Sequence, residues 1–143
     1  MVCKAVNYTD ENRGAIQHRS RAKQIIDFSG IRFNNITPTD IDGFIDYKNT
    51  AFVFMEMKLT GAEMPHGQEL ALERLVDAIT ESGRHNACAL LCRHDKKNPD
   101  EDIVAAETNV ERIYWNGAWR ATKRRRTAKE VIDSFIHFVS ELV

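Results

Sequence analysis

The sequence predicts an α/β domain, a mixed central β-sheet flanked by helices, on three observations. Two β-rich segments, 42–47 and 51–59, flank a short polar break. An amphipathic helix over 67–81 leads into a wholly apolar run, 87–92. Asn116-Gly117 and a capping-box helix close the chain. At 143 residues the chain is expected to form one domain over residues 1–143, long enough to bury a core and too short for two ordinary ones.

In chain order, Ala15, Ala22, Ile25 and Ile26 recur at helical spacing among arginines and lysines, which predicts a basic amphipathic helix over 12–28, stopped by Ser29-Gly30. Ile31-Arg32-Phe33 is expected as a short strand before an Asn34-Asn35 turn. The segments 42–47 and 51–59, joined through Lys48, Asn49 and Thr50, form a predicted hairpin. If those three residues are the loop, Tyr47 faces Ala51, Phe44 faces Phe54, Asp42 faces Glu56 and Asp40 faces Lys58. One face then carries Asp40, Asp42, Glu56, Lys58, Phe44, Phe52 and Phe54, and the other Ile41, Ile45, Val53, Met55 and Met57. A two-residue loop would put Asp42 and Glu56 on opposite faces.

The helix over 67–81 carries Gln68, Leu72, Leu75 and Ile79 on one stripe and ends at Ser82-Gly83. The run 87–92 has the pattern of a strand buried on both faces, with a parallel partner reached through that helix. Strands are expected over 103–107 and 110–115, and Asn116-Gly117 is a hairpin turn between Trp115 and Trp119. Thr127 with Glu130 makes a capping box, and Val131, Phe135, Phe138 and Leu142 form the inner stripe of the last helix.

The N-terminus lacks the apolar core of a signal peptide, and no run is long enough to span a bilayer, so the expected location is cytoplasmic, with no membrane partner. The odd set Cys3, Cys88 and Cys92 suits reduced thiols better than a disulfide framework. A net charge of −1 gives no sign of a polyanionic partner, but its distribution does. Arg13, Arg19, Arg21, Lys23 and Arg32 crowd the first quarter, and Lys123, Arg124, Arg125 and Arg126 form a second basic run. Either run alone is equally well read as solvated surface.

Asp42, Glu56 and Lys58 carry the chemistry. Phosphodiester hydrolysis calls for a divalent cation to activate water and neutralise developing charge, and Mg²⁺ takes a few carboxylates with open positions left for water and phosphate. Asp42 and Glu56 supply such oxygens, the Met57 backbone carbonyl is a further candidate ligand, and Lys58, on the same face as Glu56, is placed to orient water or hold phosphate. Glu56 interrupts an otherwise apolar strand, where an unpartnered charge is costly. The plain alternatives are a surface Glu56–Lys58 pair, a turn role for Asp40 and a surface position for Asp46. A zinc site from His85, Cys88, Cys92 and His94 is disfavoured by its spacing and by the apolar setting of the cysteines. Trp115 and Trp119 are read as cross-strand partners ahead of base-stacking platforms.

The residues Pro38-Thr39-Asp40-Ile41-Asp42-Gly43 and Glu56-Met57-Lys58 resemble the PD-(D/E)XK nuclease superfamily, in which an Asp on one hairpin strand precedes Glu-x-Lys or Asp-x-Lys on the next. The resemblance spans about residues 12–95; the last third matches nothing nameable. Pro38 is separated from Asp40 by Thr39, which leaves the choice between Asp40 and Asp42 open, with Asp42 favoured as the cross-strand partner of Glu56. It implies a restriction-endonuclease-like core with an added C-terminal hairpin and helix, metal ligation by Asp42, Glu56, the Met57 carbonyl and in one version Asp40, and assistance from Gln68.

The implied activity is a Mg²⁺- or Mn²⁺-dependent DNA endonuclease, structure-selective for junctions or branches, without an organic cofactor, working as a homodimer or with a partner protein. Arg13, Arg19, Arg21, Lys23 and Lys123, Arg124, Arg125, Arg126 would contact phosphates independently of sequence. A non-catalytic nucleic-acid or protein-binding module on the same fold, or an RNA-cleaving relative, are the alternatives.

Overall fold

The structure, a computed structural model, describes residues 14–16, 18–24 and 26–142. The chain divides into two compact units, Met1–Pro38 and Thr39–Val143.

In the first unit the described residues hold one four-residue helix, α1 (Arg19–Ala22), whose Arg21 and Ala22 N–H groups donate to the His18 carbonyl. This corrects the helix expected over 12–28, insofar as its residues are described: Gly14 stands at φ 92° and residues 26–28 are not helical. The reason is a stripe with nothing to cover it. Of that stripe Ala15 and Ala22 are exposed and Ile26 is 83% exposed, and a short helix that buries no apolar face is marginal in water. The strand expected over 31–33 is reduced to a single bridge, Phe33 with Ile36, around Asn34 and Asn35 in the left-handed region at φ 50° and 75°.

The second unit is an α/β arrangement: β1 (Gly43–Tyr47), β2 (Ala51–Leu59), α2 (His66–Thr80), β3 (Asn86–His94), β4 (Asn109–Trp115), β5 (Ala118–Ala121) and α3 (Ala128–Glu141). The strands form one mixed sheet in the order β1-β2-β3-β4-β5, with β2 and β3 parallel and the other neighbours antiparallel. The parallel pair needs a crossover, which α2 provides.

The loop between β1 and β2 has three residues, and the register is the expected one: Tyr47 opposes Ala51, Phe44 opposes Phe54 and Gly43 opposes Met55. Lys48 and Asn49 take positive φ, 51° and 58°, to turn the chain, and the Asn49 N–H donates to Asp46 Oδ1. Asp46 is thus a turn residue.

Alternation along the strands sorts the core into two layers. Phe54, Ala87, Ala89, Leu91 and Tyr114 face α2, packing on Leu72, Val76 and Met64. Val53, Cys88, Leu90, Cys92 and Val110 face α3, packing on Ala128 and Val131. The helix α2 is also fastened by polar contacts one turn apart: Glu69 accepts from Arg112 (2.7 Å), Glu73 from Trp119 Nε1 (2.8 Å) and Asp77 from the Tyr114 hydroxyl (2.9 Å). Asn116 and Gly117 turn β4 into β5 at φ 53° and 81°, and the Thr127 hydroxyl accepts from the Glu130 N–H to start α3.

Two further expectations are corrected. Residues 103–107 contain a single 3₁₀ turn, Ala105–Glu107, in place of a strand. The neighbour that an added strand would need on β4 is already supplied by β3 and β5. The inner stripe of α3 runs through Ala128, Val131, Phe135 and Val139, while Phe138 and Leu142 are 42% and 59% exposed. At 3.6 residues per turn 128, 131, 135 and 139 share one arc and 138 falls just outside it, whereas 142 points along that arc but lies past the end of the helix, at its C-cap.

Candidate metal and phosphate site

The site is built on the C-terminal half of β2, where β1 has ended. Glu56 is 4% exposed and lies on the face covered by α2, because it alternates with Phe54 and Phe52. Lys58, two residues on, shares that face, and its Nζ stands 3.2 Å from Glu56 Oε1. The other oxygen, Oε2, is buried without a hydrogen-bond partner. Gln68, in the first turn of α2, comes close enough to favour the charged carboxylate without closing a bond on Oε2, and its own Oε1 is buried and unpartnered. Orphaned buried acceptors are uncommon and costly.

Asp42 continues the hairpin register past Gly43 to a position opposite Glu56. Its Oδ2 accepts the Met57 N–H at 2.7 Å, which caps the edge of β2 that β1 no longer covers. In an antiparallel ladder the N–H and C=O of one residue point the same way, so the Met57 carbonyl is directed to the same side as Asp42. Burial, then the negative charge of Asp42, push the Glu56 carboxyl up to about 7, against the opposing pull of Lys58. Asp40 is exposed, outside β1, and takes no part in the hairpin ladder.

This donor set fits a hard divalent cation. Two carboxylates, one of them with a buried oxygen lacking any partner, a carbonyl and a neighbouring amide oxygen are oxygen ligands of the kind Mg²⁺ takes, with water and phosphate filling the remainder. Among the described residues no three His, Cys, Asp or Glu side chains come together as a metal cluster, so an ion here would rest on those two carboxylates and non-carboxylate oxygens.

The zinc grouping does not assemble. Cys88 and Cys92 are buried in the apolar layer facing α3, and burial raises both thiols, Cys92 to about 11. His85 Nδ1 bonds the Asn49 carbonyl, and His94 Nδ1 accepts from the Lys96 N–H. Trp119 packs on Tyr114 with the Arg112 guanidinium 4.5 Å over its ring, and Trp115 meets Phe138 edge to face.

The basic residues fall into two groups. Arg13 lies outside the described residues; Arg19 opens α1, and the exposed Arg21 and Lys23 belong to the same first unit, each already engaged in an interaction. Lys123, Arg124 and Arg125 are exposed on the segment between β5 and α3. Arg126 is half-buried and spent on structure, donating to Ser134 Oγ at 2.7 Å.

Residue-by-residue reasoning missed the partners of α2. Glu69, Glu73 and Asp77 recur at intervals of four, a pattern visible in the sequence, but the polar groups they bind lie 37 to 46 residues away. The sequence also missed Arg93, which opposes Lys58 on β3 and donates to the Leu59 and Ala62 carbonyls.

Comparison with protein-family models, with curated proteins and with solved structures finds no match to the chain. No helix among the described residues is long and apolar enough to cross a membrane.

Proposed function

We propose that the protein is a metal-dependent nuclease hydrolysing phosphodiester bonds in DNA, structure-selective and working as a homodimer or with a partner protein. The observation that carries this reading is Glu56: a carboxylate buried to 4% exposure, one oxygen on Lys58, the other with no partner, beside a second carboxylate. A structural ion pair would have satisfied both oxygens or stood in solvent.

Asp42, Glu56 and the Met57 carbonyl would hold Mg²⁺ or Mn²⁺, and Gln68 Oε1 would accept from a bound water. When bound, the ion lowers the pKa of coordinated water and neutralises charge on the phosphate. Lys58 keeps one N–H on Glu56 Oε1 and has others to donate to a non-bridging phosphate oxygen or the attacking water. Asp42 is fixed by the Met57 N–H, so its carboxylate stays beside Glu56 when the site is filled.

The test is incubation of the purified protein with plasmid, single-stranded and branched DNA and with RNA, with and without Mg²⁺ or Mn²⁺. Metal-dependent cleavage should fall at least about 100-fold in Glu56→Ala and Lys58→Ala, as expected when a charge acting on the transition state is removed. Absence of metal-dependent cleavage of every substrate, or cleavage unchanged in both variants, overturns the proposal and leaves a binding module. Cleavage confined to RNA moves the activity to ribonucleic acid with the same residues.

A further inference from the structure

At the same end of the sheet as Lys58, a groove of about 850 Å³ opens between the end of β3, the 102–108 segment, the start of β4 and the segment after β5. It lies wholly within the second unit. Arg93, which opposes Lys58 across the β2–β3 ladder, forms part of its wall, so groove and candidate site are adjacent-strand neighbours.

Three features give the groove a ligand class. Lys123, Arg124 and Arg125 line it, are exposed, and have no ion-pair partner among the described residues. Its other cations are already used: Arg93 on Glu111 (3.2 Å) and two carbonyls, Lys96 on Glu101 (3.9 Å). Second, Arg93 Nε and Asn109 Oδ1, both from residues lining the groove, are buried without partners. Both atoms are closed to solvent, so the direct hold on a ligand falls to the three exposed cations, set against the carboxylates Asp95, Asp102, Glu107 and Glu111 on the same wall. Third, the volume is that of a small-molecule site, enough for a nucleotide or two and far short of a duplex. No Phe, Tyr or Trp lines it, so bases have no stacking platform there and the hold is on the backbone.

We propose that this groove is a second, non-catalytic phosphate-binding subsite that takes a single strand of nucleic acid flanking the bond cut at Glu56 and Lys58, without reading its sequence. The proposal rests on the nuclease reading for the word flanking, and on the groove's own lining for the binding.

The test separates the two. Binding of a fluorescein-labelled single-stranded 20-mer is measured in EDTA as a function of salt, for the full chain and for Lys123→Ala/Arg124→Ala/Arg125→Ala. Arg74→Ala/Arg84→Ala/Lys129→Ala serves as control, removing equal charge elsewhere in the same unit. The groove triple should bind at least about 10-fold more weakly near 0.1 M salt and lower the slope of log K against log salt by about 2, with an unchanged unfolding midpoint, while the control binds nearly as the parent does. Where cleavage is present, the groove triple should raise KM on the 20-mer and leave kcat unchanged. Equal binding by the groove triple and the parent, or equal weakening by both triples, overturns the subsite. Weakened binding with no cleavage by the parent protein keeps the groove and removes the nuclease reading instead.

Discussion

The layer between the sheet and α3 buries Val53, Leu90, Val110, Ala128, Val131 and two thiols. The layer on the α2 side buries Phe54, Leu72, Val76 and Leu91, and around them Glu56, Lys58, Gln68, Arg112, Tyr114 with Asp77, and Trp119 with Glu73. Both faces come from the same strands, since alternate residues point opposite ways. On the α3 side the polar fastenings sit at the start of the helix, where the Ala128 N–H donates to the Thr108 carbonyl and Arg126 to Ser134 Oγ. On the polar face most buried groups are matched; the unmatched ones are Glu56 Oε2 and Gln68 Oε1 at the candidate site and Arg93 Nε and Asn109 Oδ1 at the groove beside it. The orphaned groups thus gather at one end of this face, while the fastenings of α2 along the rest of it are matched.

The largest effect that sharpens this contrast is expected on the apolar side. Leu90→Ala removes a fully buried side chain from the middle of an apolar cluster, and should cost about 2–5 kcal/mol in urea unfolding. A loss under about 1 kcal/mol would mean that this layer is loosely packed.

On the polar side the next change has the opposite sign. Glu56 holds its proton up to about pH 7 when folded and gives it up near 4.5 when unfolded. Between those values the unfolded chain binds fewer protons than the folded one, so stability falls as pH rises, and the whole cost is present above 7. In metal-free buffer at pH 8, Glu56→Gln should therefore stabilise the protein by about 2–3 kcal/mol, a gain that vanishes at pH 4. Destabilisation at pH 8, or equal effects at both pH values, would remove the strain argument from the site.

The smallest effect tests the fastening of α2. Tyr114→Phe deletes the hydroxyl that donates to Asp77 and should cost about 1 kcal/mol at pH 7. Burial, then the bond to Asp77, raise the Tyr114 phenol to about 12, so the folded state keeps a proton that the unfolded state loses near 10. Stability of the parent should drop as pH rises from 10 to 12, and the Phe variant should lack that component. Identical alkaline profiles would show that the contact adds nothing.

Much of the site was legible because hairpin register is a local property. Three loop residues and period-2 alternation were enough to place Phe44 opposite Phe54 and Glu56 on the face of Phe52 and Phe54. The parallel strand was legible as well, since a strand covered on both faces must be apolar throughout, as 87–92 is. The basic helix over 12–28 was not, because its stripe repeats correctly in the sequence yet its described members Ala15, Ala22 and Ile26 are exposed. The 103–107 segment failed for the opposite reason: it has strand-like residues, but β3 and β5 already occupy both edges of β4.

By itself, then, the sequence determined the order of elements in the second unit apart from the strand expected over 103–107, the register of β1 on β2, and the pairing of Glu56 with Lys58 on one face. Tertiary structure alone decided that the Asp42 carboxylate closes on the Met57 N–H, that Glu69, Glu73 and Asp77 clamp α2, and that Arg93 and Lys123, Arg124 and Arg125 share a groove. Periodicity and turn length are written within a few residues of one another. Which orphaned oxygen or unpaired cation meets which distant neighbour depends on how the packed layers close, and no local pattern carries it.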